Sequence, residues 1–315
     1  MSHYALQACY NLTVLLLKER NMDIRVLRYF LAVAREENIS KAAEYLHITQ
    51  PTLSRQLKEL EDELNVSLFT RGKRNITLTD EGMLLRKRAE EITSLMDKTE
   101  AEFSNLDNLI SGDVYIGGGE TLAMKILAEV MTDMSEEYPD VRFHLYSGNA
   151  DNVMDRIDKG LLEFGVVIEP ADIRKYEAMR LPYTDHYGLI MKKDDPLASM
   201  DTIPISMLKD IPILVAKRII DNNYFSEIFG ISPEQLDIRA TFNLIYNAAL
   251  LVEQGMGYAL TIDKLINVTG DNNLCFVPLE PETTLNLSII WKRYQMFSGA
   301  SKEFLDRLKE RLKRQ

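Results

Sequence analysis

Leu53, Leu57, Leu60 and Leu64 recur at steps of four, three and four, the spacing that lays one buried stripe along a helix. Thr49 stands where a side chain caps that helix, and Pro51 falls in its first turn, where no amide donor is needed. Just upstream, Ser40 is placed to cap a shorter helix, and Ala42-Ala43 keep its face small enough for the second helix to cross closely. Away from the leucines the second helix carries Pro51, Arg55 and Lys58, while Gln50, Thr52 and Ser54 cluster near its N-terminus. In helix-turn-helix modules this end enters the major groove of DNA, and hydroxyl and amide side chains there both donate to and accept from base edges. The run from Asn65 to Thr79, with Arg71, Lys73 and Arg74 near its middle, reads as a short β-hairpin with a basic tip, a wing beside the recognition helix. A plain helical hairpin, its polar face meeting only water, would leave that basic tip unexplained.

The pattern then lengthens. Residues 80–107 contain no proline and only Gly82, and Leu85, Ala89, Ile92, Met96, Thr99, Phe103 and Leu106 follow at alternating steps of four and three. A strict heptad drifts off a straight helix, so its persistence favours pairing with a second helix over lying on one domain. A two-fold dimer presenting two recognition helices calls for a pseudo-palindromic operator.

From Gly112 the periods shorten to strands alternating with helices. Strands are expected at Val114–Ile116, Val141–Tyr146, Phe164–Ile168, Tyr187–Met191, Ile211–Val215, Ile238–Phe242, Tyr258–Thr261 and Leu285–Trp291, with helices at Leu122–Glu137, Ala150–Lys159 and Asn243–Gln254 between them. Alternation of this kind makes an α/β domain with ligands at the C-terminal ends of strands. Gly117-Gly118-Gly119-Glu120-Thr121 follows a strand and opens a helix, but Leu122 occupies the place of the third glycine of a dinucleotide loop, and such a cluster alone is weak. No nucleophile–base or paired-histidine arrangement stands out, so a binding role, not catalysis, is expected.

Leu27-Arg28-Tyr29-Phe30, Ser40-Lys41-Ala42-Ala43, Thr49-Gln50-Pro51, Leu53-Ser54-Arg55-Gln56-Leu57, Leu60-Glu61, Leu68-Phe69 and Leu78-Thr79-Asp80-Glu81-Gly82 occur in one order. In this, residues 22 to about 91 resemble the winged helix-turn-helix of LysR-type transcriptional regulators. The resemblance implies an α/β chain overall: an N-terminal winged helix-turn-helix (22–79), a linker and dimerisation helix (80–110) and a two-lobed effector-binding domain (112–315) like the periplasmic binding proteins. The first lobe would take about 113–184 and 285–315, the second about 185–284. By position, the effector cleft would be lined by Glu120, Thr121, Ser147, Gly148, Asn149 and Glu169 from the first lobe and Lys217, Arg218, Asn243 and Thr261 from the second. The resemblance further implies pairing of dimers into tetramers, and RNA polymerase is a further candidate partner.

Charge sharpens this reading. The chain of 315 residues carries a formal −11, yet residues 22–88 hold twelve Lys/Arg against ten Asp/Glu. The acidic excess lies beyond, where it repels phosphates, so DNA contact is confined to recognition helix and wing and is salt-sensitive. Cys9 and Cys275 give neither a disulfide framework nor metal spacing, and the four histidines form no ligand pattern, so no metal or cofactor is called for. No apolar stretch approaches the ~20 residues of a membrane span, and the chain reads as cytoplasmic. The mixture of Glu120 and Glu169 with Lys217 and Arg218 suggests an amino-acid-like or other small polar effector. Two other functions remain open: a metabolic enzyme or carrier with a DNA tether, and an effector-independent DNA-organising protein. Residues 1–21 lack the apolar core of a signal peptide. Because Lys18-Glu19, two codons before Met22, can be encoded as a ribosome-binding sequence, Met22 is expected to be the native start and 1–21 an extension.

Overall fold

Asp23 accepts a hydrogen bond from the Arg25 amide at 2.8 Å and starts α1 (Ile24–Glu36), which turns Val26, Leu27, Phe30 and Val33 inward. This is the first of two compact units, 1–100 and 101–315, in a computed structural model that describes residues 22–71, 76–104 and 110–314. Glu37 leaves α1 in the left-handed region (φ 49°), and the chain is extended by Asn38, whose side chain accepts from the Lys41 amide at 3.1 Å. Asn38, not Ser40, therefore caps α2 (Ile39–Tyr45): the early exit from α1 puts extended backbone, which a cap requires, two residues ahead of Ser40. Thr49 caps α3 (Gln50–Leu64) with Pro51 in its first turn, and Leu53, Leu57 and Leu60 are buried against α1 and α2. Asn65 ends α3 with φ 55°.

The wing is the antiparallel pair β1 (Phe69–Arg71) and β2 (Ile76–Leu78), with Phe69 opposite Leu78. Glu61 on α3 holds it by accepting from the Leu68 amide at 2.8 Å. Thr79 closes the junction, donating its amide to Leu68 O at 3.1 Å and taking the Gly82 amide on its hydroxyl at 3.0 Å. A Cβ at Gly82 would lie 2.2 Å from Leu68 O, so glycine is needed here for close approach, not for backbone freedom.

The long helix α4 (Asp80–Ser104) divides the expected heptad seam. Leu85 and Ala89 are buried in the core of the winged unit, Thr93 is buried behind them, and Asp97 takes Arg28 at 2.5 Å. The winged unit covers only the side of α4 that carries Leu85, Ala89, Thr93 and Asp97. Hence Ile92 and Met96 are exposed, together with Leu84 and Leu95, which lie off the expected seam. Thr99 is partly exposed. Phe103 lies on α4 but its side chain is outside the described set, as is Leu106 altogether.

The second unit is built on two sheets sharing one long strand, β6 (Tyr176–Lys192). In the first lobe, parallel strands β4 (Val141–Ser147), β3 (Gly112–Gly118) and β5 (Phe164–Ile168) are continued by antiparallel β12 (Thr284–Lys292) and the N-terminal half of β6. Helix α5 (Met124–Glu137) and the terminal helix α10 (Gly299–Lys313) cover one face through Ile126, Val130, Phe304 and Leu308; α6 (Ala150–Asp158) covers the other through Val153 and Ile157. In the second lobe, parallel β9 (Asp237–Phe242), β8 (Pro212–Ala216) and β10 (Tyr258–Ile262) join the C-terminal half of β6, which also pairs with β11 (Leu274–Glu280), itself beside the short β7 (Ile203–Pro204). Helices α7 (Lys217–Asp221) and α8 (Tyr224–Phe229) cover one face, α9 (Ile245–Glu253) the other.

β6 begins eleven residues before the expected Tyr187, because its first half alternates exposed and buried positions weakly. It pairs with β12 as far as His186 and with β10 from Tyr187, so the lobes change over within one unbroken strand. The apolar run Leu274–Val277 is strand β11, and Cys275 packs at the edge of the second-lobe core.

Candidate DNA-reading face and effector cavity

Gln50, Pro51, Thr52, Arg55 and Lys58 are all exposed on α3, and Ser54 is half-exposed. The leucine stripe fixes this outcome: once Leu53, Leu57 and Leu60 face inward, residues between them face out. Gln50 donates to Ser54 Oγ at 2.9 Å and Thr49 and Thr52 share a hydroxyl hydrogen bond of 2.8 Å, which orders the head of the helix while leaving acceptor and donor sites open. Arg55 lies 3.8 Å from Glu59 and Lys58 3.0 Å from Asp62. Exposed pairs like these contribute only ~0–1 kcal/mol, so phosphates can replace the carboxylates cheaply. Arg71 is on β1 with its side chain outside the described set, and Lys73 and Arg74 lie outside the described residues.

At the C-terminal ends of β3, β5, β8 and β10 the second unit holds a cavity of about 130 Å³ between its two lobes. Of the residues expected there, Glu120, Gly148, Asn149 and Glu169 line it from the first lobe and Arg218, Asn243 and Thr261 from the second. Thr121, Ser147 and Lys217 do not. Thr121 turns away to donate to Asp185 at 2.7 Å and to cap the Ala123 amide; burial pushes the Asp185 carboxyl above the usual carboxylate range, and the Thr121 hydrogen bond draws it partly back. Ser147 is exposed at the last residue of β4. Lys217 points outward to Asp221 at 3.4 Å, because on the one-turn helix α7 successive residues point about 100° apart and Arg218 takes the inward direction.

Arg218 is the electrostatic centre of the cavity. Its side chain is 11% exposed and its Nε lies 3.3 Å from Asp151 Oδ2, while one terminal nitrogen donates to Pro170 O at 2.6 Å. Asn222 also donates to Asp151, at 3.2 Å. Asp151 and Pro170 belong to the first lobe, Arg218 and Asn222 to the second, so these groups tie the lobes across the cavity mouth. The Nε–H is not aimed at Asp151 and is buried without a hydrogen-bond partner. Of the acids, Glu120 is exposed, and Glu169 accepts from Asn286 Nδ2 at 3.2 Å.

The wall is otherwise apolar. Ile168, Ile219, Phe242, Leu244, Ile262 and Leu285 line it, with Tyr187 7% exposed beside them. None of these was expected, since periodicity marks them as core and only the meeting of two lobes leaves a space against them. Burial pushes the Tyr187 hydroxyl up to about 12 while nearby Arg218 opposes the shift. Thr261, which also lines the cavity, is 6% exposed.

A model described as "Bacterial regulatory helix-turn-helix protein, lysR family" matches residues 24–83, and one described as "LysR substrate binding domain" matches residues 107–313. The transcriptional regulator BsdA of Bacillus subtilis (strain 168) is 27% identical over 292 residues, covering 90% of this chain and 99% of its own. The uncharacterized regulator YwbI of the same organism is 28% identical over 296 residues, covering 92% of this chain and 97% of its own. Among solved structures, CbnR, a LysR family transcriptional regulator, superposes with a TM-score of 0.70 at 18% identity across 92% of this chain and 99% of its own. CbnR complexed with its target DNA gives 0.67 at 17% identity over the same shares.

Proposed function

Because this chain belongs to the lysR family of bacterial helix-turn-helix regulators, we propose that it reads a pseudo-palindromic operator as a homodimer and changes its grip on DNA when a small molecule fills the interlobe cavity. One observation carries the reading: Arg218 and Asn222 already bridge to Pro170 and Asp151 beside a largely apolar space. A ligand that touches both lobes there has different affinity for open and closed states, and that difference is what drives a conformational equilibrium.

Gln50, Thr52 and Ser54 read base edges, while Arg55, Lys58 and the wing cations Arg71, Lys73 and Arg74 hold phosphates or a narrow minor groove. The accessible apolar face of α4, with Leu84, Ile92, Leu95 and Met96, pairs with its copy in a second chain; dimers then join into tetramers and contact RNA polymerase at the promoter. The action is regulatory, not enzymatic. Genomic binding maps followed by footprinting of the purified full chain test this: two half-sites about one or more helical turns apart are expected, and binding spread evenly over all sequences would refute it.

A further inference from the structure

Taking the interlobe cavity as the effector site, we propose that it selects a compact monocarboxylate with an apolar body, its carboxylate held by Arg218 and Tyr187 of the second lobe. The cavity of about 130 Å³ is of the order of the ~150 Å³ space that takes a benzene molecule, so a single ring or short branched chain fits.

Arg218 is the only cation lining the cavity among the described residues. A guanidinium only donates, and its planar fork matches a carboxylate; here one terminal nitrogen is taken by Pro170 O and Nε is buried without a hydrogen bond, so an acceptor entering between the lobes meets an under-satisfied donor group. Tyr187, 7% exposed, lines the same cavity and makes no side-chain hydrogen bond among the described residues, and its hydroxyl stays a neutral donor because burial pushes it up to about 12.

The acids set the limit to one negative charge. Glu169, which accepts from Asn286, and the exposed Glu120 line the cavity; a second carboxylate on the ligand would face them. An α-amino acid is disfavoured because its ammonium, two bonds from the carboxylate carbon, would lie beside the guanidinium, while of the lining acids Glu169 is taken by Asn286 and Glu120 is exposed to water. The expectation of an amino-acid-like effector rested partly on Lys217, which points away from the cavity.

Calorimetry on the full chain tests this with benzoate and cyclohexanecarboxylate against benzamide, phenylglycine and succinate. Both monocarboxylates should bind, and the other three at least tenfold more weakly. Arg218→Gln should weaken benzoate at least tenfold and Tyr187→Phe several-fold, each with unchanged near-ultraviolet circular dichroism. Should Arg218→Gln not fold, Arg218→Lys takes its place, since a lysine lacks the fork. Absence of binding by both monocarboxylates overturns the proposal, as does benzamide, phenylglycine or succinate matching benzoate, or an undiminished affinity in the folded Arg218 variant. If other molecules shift operator binding while the monocarboxylates do not bind, the ligand class falls and the regulatory reading stands. If the monocarboxylates bind as expected but never alter DNA binding or promoter output, the reverse holds.

Discussion

Thr121→Val isolates the buried hydrogen bond that pins the start of the first-lobe helix to β6. Valine keeps the shape of threonine but removes the hydroxyl that donates to Asp185 at 2.7 Å and accepts from the Ala123 amide at 3.1 Å. Asp185 is 1% exposed, so water cannot replace the lost donor. A hydrogen bond to a charged group is worth about 1.5–3 kcal/mol, and that loss is expected near neutral pH. For a unit of this size each kcal/mol moves the midpoint by roughly 2–4 °C, so thermal unfolding should fall by about 3–12 °C. In an Asp185→Asn background the same substitution should cost only the neutral value of about 0.5–1.5 kcal/mol, leaving a coupling energy near 1 kcal/mol in the double-mutant cycle. Trp291, the sole tryptophan, packs edge-on against Phe164 in the first lobe, so its fluorescence reports urea unfolding directly. A loss below about 0.5 kcal/mol, or a coupling of zero, would refute the assignment of an ionic hydrogen bond at this site. The pH dependence has a definite sign. Burial holds the folded Asp185 carboxyl above its ordinary 3.8, so the folded state keeps the proton longer and stability from this group falls as pH rises from 3.8 through the folded value. Asp263 raises that value, Lys264 and His186 lower it, and Asp185→Asn should remove the step.

Gln50→Ala should cost about 1–3 kcal/mol of discrimination at one base step of each half-site while leaving affinity for random DNA unchanged; uniform loss on every sequence in competition assays would reassign Gln50 to phosphate contact. Ile92→Asp with Met96→Asp places like charges on the exposed α4 face and should abolish cooperative operator binding while the effector unit still folds, as sedimentation and calorimetry can establish; an unaltered dimer would show that this face is not the interface. Gly82→Ala drives a Cβ to 2.2 Å from Leu68 O, and overpacking of this kind costs about 1–3 kcal/mol. The winged unit should melt earlier and DNA affinity should drop, and a wild-type melting point would mean that the junction relaxes freely.

The recognition helix was legible in the sequence because every cue to it is local. Thr49, Pro51 and the leucines at steps of four and three act within a few turns of one helix, and burying one side leaves Gln50, Arg55 and Lys58 outside. The C-terminal ends of several strands were equally legible, and the resemblance to LysR-type regulators then assigned Glu120, Asn149, Glu169, Arg218, Asn243 and Thr261 to one cleft, whose cavity they line. Periodicity could not decide which member of an adjacent pair faces that cleft. Lys217 and Arg218 differ only in direction on a one-turn helix, and contact with Pro170 and Asp151, far away in sequence, selects Arg218. Nor could it separate core from cavity wall: Tyr187, Ile219 and Phe242 carry the same apolar signature as their fully packed neighbours, and only the meeting of two lobes leaves a gap in front of them. The linker obeyed the same limit, since Leu85 and Ala89 satisfy a heptad as well as Ile92 and Met96 do, and the winged unit beside α4 buries the first pair and leaves the second exposed. Local spacing determines what a residue could do, and long-range packing chooses its partner.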